Sequence, residues 1–134
     1  MPDVPKLYRV LLQVSNIAQA TTFYARLLDT EGQTIAASRH YFACGSVILG
    51  LVNPTREGGD VARPNPEHLY FAVSNLEAIH ARARELGCLS SAKVHDASAG
   101  EIVTRPWGER CFYADDPFGN KLCFVDEQTL FTGT

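Results

Sequence analysis

Three side chains in this chain could do chemistry together: the guanidinium of Arg9, the imidazole of His68 and the thiol of Cys123. Histidine is the side chain that titrates near neutrality, so His68 could hydrogen-bond a ligand or act as a general base. Its structural alternative is a buried histidine satisfied by a neighbour. A planar guanidinium is suited to clamping a carboxylate or phosphate, so Arg9 is read as a ligand contact. An internal ion pair is its alternative. Cys123 could pair with His68 as a nucleophile, but no orienting third group is evident in the spacing, and it reads first as a packing residue. Trp107 lies between Pro106 and Gly108, in a rigid loop where an indole can stack a flat ligand. Tyr70 offers a second wall, and Gln13 shares the strand of Arg9. Arg110 either reaches the ligand or pairs with Asp116. His40, His80 and His95 read as surface-exposed.

These residues are carried by a repeated element. Arg9 to Leu27 and His68 to Leu86 both run apolar strand, Val-Ser-Asn, then a helical pattern; Val14 recurs as Val73, a shift of 59 positions (73 − 14). Such a period means two copies of one supersecondary unit. In the first copy a strand over 7–14 precedes a helix over 17–28, capped by Ser15 or Asn16. Strands follow near 33–37, 39–44 and 46–52. The second copy opens with a strand over 67–73, and Asn75 caps a helix whose apolar positions are Leu76, Ile79, Ala83 and Leu86, ended at Gly87. Strands are read at 101–105, 110–114 and 121–125, with 93–99 ambiguous and a dense turn at Asp115 to Asn120. The chain is therefore an α+β protein of two βαβββ modules: module one 7–52, linker 53–66, module two 67–126, tail 127–134. Strand alternation separates uniformly apolar faces, which belong under the helices, from mixed faces. The mixed faces carry Arg9, Gln13, His68, Tyr70 and Cys123 and should line an interior cup.

Composition narrows the function. The chain has 134 residues, 46% of them hydrophobic, and a net charge of −3 with acids and bases interspersed. That suits one folded domain and argues against a nucleic-acid surface, which needs a basic stripe. The N-terminus lacks the apolar run of a signal peptide, and no stretch approaches the roughly twenty apolar residues of a membrane helix. The protein is read as soluble, cytoplasmic and without a membrane partner. Cys44, Cys88, Cys111 and Cys123 form no C-x-x-C pair.

The βαβββ repeat, the opening QVSNIAQATTFYARLL and the ending RPWGERCFYADDPFGNKLCFV resemble the vicinal oxygen chelate superfamily. That group includes glyoxalase I, extradiol dioxygenases and bleomycin-resistance proteins. The resemblance covers about 7–126 and implies two modules curving a mixed sheet around a cup, commonly in a homodimer. Its metal-dependent members hold one divalent ion with four ligands. Carried over position by position, those fall on Arg9, Leu49, His68 and Cys123, with Leu49 placed by aligning Gly45 with Gly119. A guanidinium and a leucine cannot coordinate a cation. The resemblance therefore implies the metal-free, bleomycin-resistance-like branch: a protein without cofactor that sequesters or processes a small organic ligand. One alternative is a metal-dependent lyase, isomerase or dioxygenase completed by Gln13, Glu109 or Glu127. Another is a metal-free enzyme with His68 as general base.

Overall fold

A computed structural model describes residues 3–133. They fall into two compact units, one through Arg63 and the other from Pro64.

In the first unit β1 (Arg9–Gln13) leads into α1 (Ile17–Leu28), followed by β2 (Gln33–Ala36), β3 (Arg39–Cys44) and β4 (Val47–Val52). The sheet order is β1-β4-β3-β2, with β1 parallel to β4 and the other pairs antiparallel. Asn16 caps α1 by accepting from the Gln19 N–H at 2.9 Å. Asp29, at φ 57°, closes the helix in the left-handed region, which aspartate tolerates better than most residues. Ala20, Phe23, Tyr24 and Leu27 are buried on one side of α1. Leu12, Val14, Phe42, Leu49 and Leu51 are buried on the sheet, and Tyr24 meets Phe42 with ring centroids 6.4 Å apart. Each such side chain contributes about 1.5–3 kcal/mol. The other face of β1 carries Arg9, Leu11 and Gln13, all exposed.

The second unit repeats the plan with an insertion. β5 (Leu69–Val73) and α2 (Leu76–Glu85) are followed by a small hairpin, β6 (Lys93–Val94) and β7 (Ala97–Ser98), then β8 (Val103–Thr104), β9 (Arg110–Asp115) and β10 (Lys121–Asp126). The sheet order is β5-β10-β9-β8, again with only the first pair parallel. The ambiguous stretch 93–99 is thus a hairpin. Its two turn residues, His95 and Asp96, both have positive φ (50° and 63°), as a type I′ turn requires. Asn75 caps α2 through the Ala78 N–H at 3.1 Å. The buried face of α2 is Leu76, Ile79, His80 and Ala83, and Phe71, Phe124 and Phe112 stack in sequence at 5.1 and 5.3 Å.

The turn Asp116 to Asn120 is a closed hydrogen-bond knot. Buried Asp116 accepts from the Phe118 and Asn120 N–H groups, each at 2.8 Å, and from the Asn120 side chain at 2.8 Å. The Asn120 side-chain Oδ1 accepts from the Asn65 N–H at 2.7 Å. This accounts for the D-P-F-G-N pattern structurally, with Gly119 at φ 87°.

Two histidines read as exposed are buried, at 5% exposure each. His40 Nε2–H donates to the Glu31 carbonyl at 2.8 Å and its Nδ1 accepts from Thr34 Oγ1 at 3.1 Å. His80 Nε2–H donates to the Gly100 carbonyl at 2.8 Å while its ring meets Phe112. Both act as flat, hydrogen-bonded core residues. Among the described residues no helix is long and apolar enough to cross a membrane.

Candidate functional site

Strand register sorts the predicted site residues. In the second unit Tyr70, Cys123 and Tyr113 lie opposite one another across β5, β10 and β9. The next row on the same face is Ala72, Val125, Cys111 and Val103. His68 precedes Tyr70 by one side-chain repeat, and its ring lies 5.0 Å from Tyr113 and 6.2 Å from Tyr70. His68, Tyr70 and Cys123 therefore share the sheet face away from α2, as strand alternation anticipates.

Tyr70 and Trp107 border one hollow of about 410 Å³, together with Ala72, Glu109, Val125 and Phe131. Glu109 organises it. One carboxylate oxygen accepts from Trp107 Nε1–H at 2.8 Å, fixing the indole. The other accepts from the Phe131 N–H at 2.9 Å, tying the C-terminal tail to the same loop. The tail, which shows no pattern in the sequence, thus supplies an apolar wall; Phe131 is 56% and Tyr70 63% exposed.

Beside the hollow, on the same sheet face, lies a buried polar cluster. Arg105, 2% exposed, donates from Nε to Cys111 Sγ at 3.4 Å and stacks its guanidinium over Tyr113 at 5.1 Å. A hydrogen bond from the Cys123 thiol, followed by that from Arg105, holds the Cys111 thiol below the ordinary thiol range, although burial opposes this. Cys123 is pushed up, because its proton is shared with Cys111 and because it is buried. Burial also pushes Tyr113 and Tyr70 up. Arg105 and Cys111 are not evident as site residues in the sequence. The alternation Cys111, Tyr113 against Cys123, Val125 is the available signal for Cys111; none marks Arg105.

Arg110 is placed on the helix side. It pairs with Glu77 on α2 and with Asp126 at 3.4 Å. The pairing with Asp116 considered from the sequence is not formed, since Asp116 is committed to its own turn. In the first unit Arg9 and Gln13 lie on the face away from α1. Arg9 stacks over Tyr8 and Tyr41 at 5.0 and 5.4 Å, and Gln13 accepts from the Arg63 N–H at 2.9 Å.

Leu49 does not occupy the position that the resemblance gives it. It pairs with Val10 and is buried, 3% exposed, on the α1 side. The residue in register with Leu11, as Cys123 is with Tyr70, is Gly50. Aligning glycines misplaced it by one residue because the β3–β4 turn has two residues, Gly45 and Ser46, where the β9–β10 turn has five. The correction leaves the metal chemistry unchanged, since glycine has no side-chain donor. Among the described residues no three His, Cys, Asp or Glu side chains are gathered so as to hold a metal ion. The residues present do not fit a divalent cation: a guanidinium and a glycine stand where donors would be needed.

Two units, each a helix beneath one face of a four-stranded mixed sheet, define a small α+β protein of paired modules. The chain belongs to the Glyoxalase/Bleomycin resistance protein/Dioxygenase superfamily, whose family model matches residues 6–124. Solved structures agree in fold. The oxidase ChaP-H1 is 24% identical with a TM-score of 0.73, covering 98% of this chain and 100% of that one. A glyoxalase/bleomycin resistance protein from Albidiferax ferrireducens T118 is 22% identical with a TM-score of 0.71, covering 90% and 97%. A lactoylglutathione lyase from Agrobacterium tumefaciens is 16% identical with a TM-score of 0.67, covering 93% and 96%. Comparison with curated protein sequences finds no match.

Proposed function

We propose that this chain binds a small organic molecule without a catalytic metal, in the manner of the bleomycin-resistance-like side of its superfamily. The observation that carries this reading is the hollow of about 410 Å³ walled by Tyr70, Trp107 and Phe131. Aromatic walls with few polar groups suit a flat or apolar ligand, and His68 on the same sheet face can supply a directional hydrogen bond. The metal-free part rests on donor chemistry: Arg9 and Gly50 offer no lone pair to a cation. A homodimer, common among proteins that this chain resembles, belongs to the same proposal.

Trp107 is the chain's sole tryptophan, so its emission reports on the hollow. Titration with anilinonaphthalene sulfonate should quench it saturably, and Tyr70→Ala should weaken that binding about ten-fold, the loss expected for removing one aromatic wall. Unchanged affinity in the variant would overturn the hollow as the site. Near-stoichiometric iron, nickel, zinc or manganese in protein purified without chelator would overturn the metal-free reading and favour the metal-dependent alternative. Sedimentation as a monomer alone would remove the dimer.

A further inference from the structure

Arg105 is the one buried lysine or arginine among the described residues, and its surroundings do not account for its charge. Its main chain is locked: the N–H donates to the Glu109 carbonyl at 2.8 Å, and its carbonyl accepts from Gly108 at 2.9 Å. This closes the turn that holds Pro106 and Trp107. Its side chain has one hydrogen bond, from Nε to Cys111. Nη1 and Nη2 are both buried and have no partner. No carboxylate lies within ion-pair distance of it among the described residues, in contrast to Arg39 and Arg110.

A guanidinium cannot shed its proton to escape this situation. Each buried donor left unmade costs about 1–3 kcal/mol, and more when the group is charged. The Cys111 sulfur compensates only the Nε side, and the Tyr113 ring only the face. What remains is the planar Nη1/Nη2 fork, which matches the two oxygens of a carboxylate or phosphate. Arg105 also borders a separate hollow of about 250 Å³, with Val94, His95, Ala97, Val103 and Thr104. Liquid water takes about 30 Å³ per molecule, so this space accepts an anionic group with some of its hydration. Thr104 and His95 add polar atoms to its wall.

We propose that Arg105 is the centre of an anion subsite in the second unit, taking one carboxylate or phosphate group. The anion supplies the counter-charge and the acceptors that the fold leaves out. The subsite stands on Arg105 alone and does not depend on the aromatic hollow being a ligand site.

The test is the melting temperature of the full chain while inorganic phosphate, or benzoate in a second arm, replaces chloride at constant ionic strength. The wild type should gain stability saturably, as any ligand specific to the folded state requires. A response to phosphate assigns the free anion, and a response to benzoate alone assigns the carboxylate of an organic ligand. Arg105→Met should stay folded, because an apolar side chain of similar size replaces an unpaired buried charge, and should lose the response. Arg105→Lys keeps the charge without the fork and should bind the anion about ten-fold more weakly. Tyr70→Ala should leave the phosphate response intact, which separates this subsite from the aromatic hollow. A flat wild-type titration in both arms, or an undiminished response in Arg105→Met, overturns the proposal. Should Arg105→Met fail to fold, the guanidinium nitrogen resonances of wild-type Arg105 decide it: they must shift on adding phosphate or benzoate, and their failure to do so overturns it equally.

Discussion

The two units share a plan and differ in what they do with a positive charge on the face away from the helix. In the first, Arg9 is exposed and lies over the rings of Tyr8 and Tyr41, so water satisfies whatever those rings do not. In the second, Arg105 is folded beneath its own turn against Cys111 and Tyr113, with both of its terminal nitrogens unpaired. The neighbouring register positions diverge in the same sense. Gly50 faces Leu11 and Tyr41 so closely that an added Cβ would fall 2.6 Å from Leu11 Cδ2, whereas its counterpart Cys123 presents a thiol to Cys111. One backbone plan thus yields a solvated face in one copy and a desolvated polar cluster in the other. Side-chain identity at register-equivalent positions decides which.

Substitutions can break that comparison or sharpen it. The largest effect should come from the cores, where the units are alike. Phe124, fully buried between Phe71 and Phe112, and Phe42, fully buried beside Tyr24 and His40, should each cost about 3–5 kcal/mol on truncation to alanine. Chemical denaturation measures both; a cost below 1 kcal/mol at either would mean that core is not packed as described.

The β-hairpin turns should differ sharply. Asp116→Ala strands the Phe118 and Asn120 N–H groups and the Asn120 side chain together and should cost about 3 kcal/mol. Ser46→Ala, in the exposed two-residue turn of the first unit, should stay within about 0.5 kcal/mol. Equal costs would show that the five-residue knot does not hold the β9–β10 register.

Much of this architecture is legible in the sequence because it is local. The 59-residue repeat, the Asn caps and the apolar stripes of α1 and α2 predict both helices to within a residue and place His68, Tyr70 and Cys123 on one face. What escapes depends on contacts between distant residues. His40 and His80 look like surface polar residues until the Glu31 and Gly100 carbonyls come within reach. Arg105 follows an apolar strand and precedes a proline, and its burial arises only when the turn folds it over β9. Phe131 belongs to a tail without periodicity, anchored by Glu109 22 residues earlier. Leu49 fails for a different reason: register depends on turn length, which an alignment of glycines ignores.

The thiols carry the comparison into pH. Burial raises Cys44 in the first unit, whereas the Cys123 and Arg105 hydrogen bonds lower Cys111 in the second. A lowered folded value stabilises the protein above the ordinary thiol value, near about 8.5, and that contribution is lost as pH falls through the folded value. A raised one stabilises below the ordinary value and is lost as pH rises through the folded value. The stability gap between wild type and Cys111→Ser should therefore widen with rising pH across that window, and the gap for Cys44→Ser should narrow above it. Thiolate absorbance in the ultraviolet should show a titration below the ordinary range that Cys111→Ser abolishes. Its persistence in that variant would detach the thiolate from Arg105.

The helix caps should give the same small effect in both units, and that equality is its use. Asn16 and Asn75 each accept one N–H three residues on, at 2.9 and 3.1 Å, so Asn16→Ala and Asn75→Ala should each cost about 1 kcal/mol. The caps belong to the shared plan and sit outside the divergent faces. A matched pair would locate the divergence in the side chains on the sheets. A cost at Asn75 well above that at Asn16 would instead mean that the second unit depends more heavily on its helix, and that the buried cluster around Arg105 has weakened its fold.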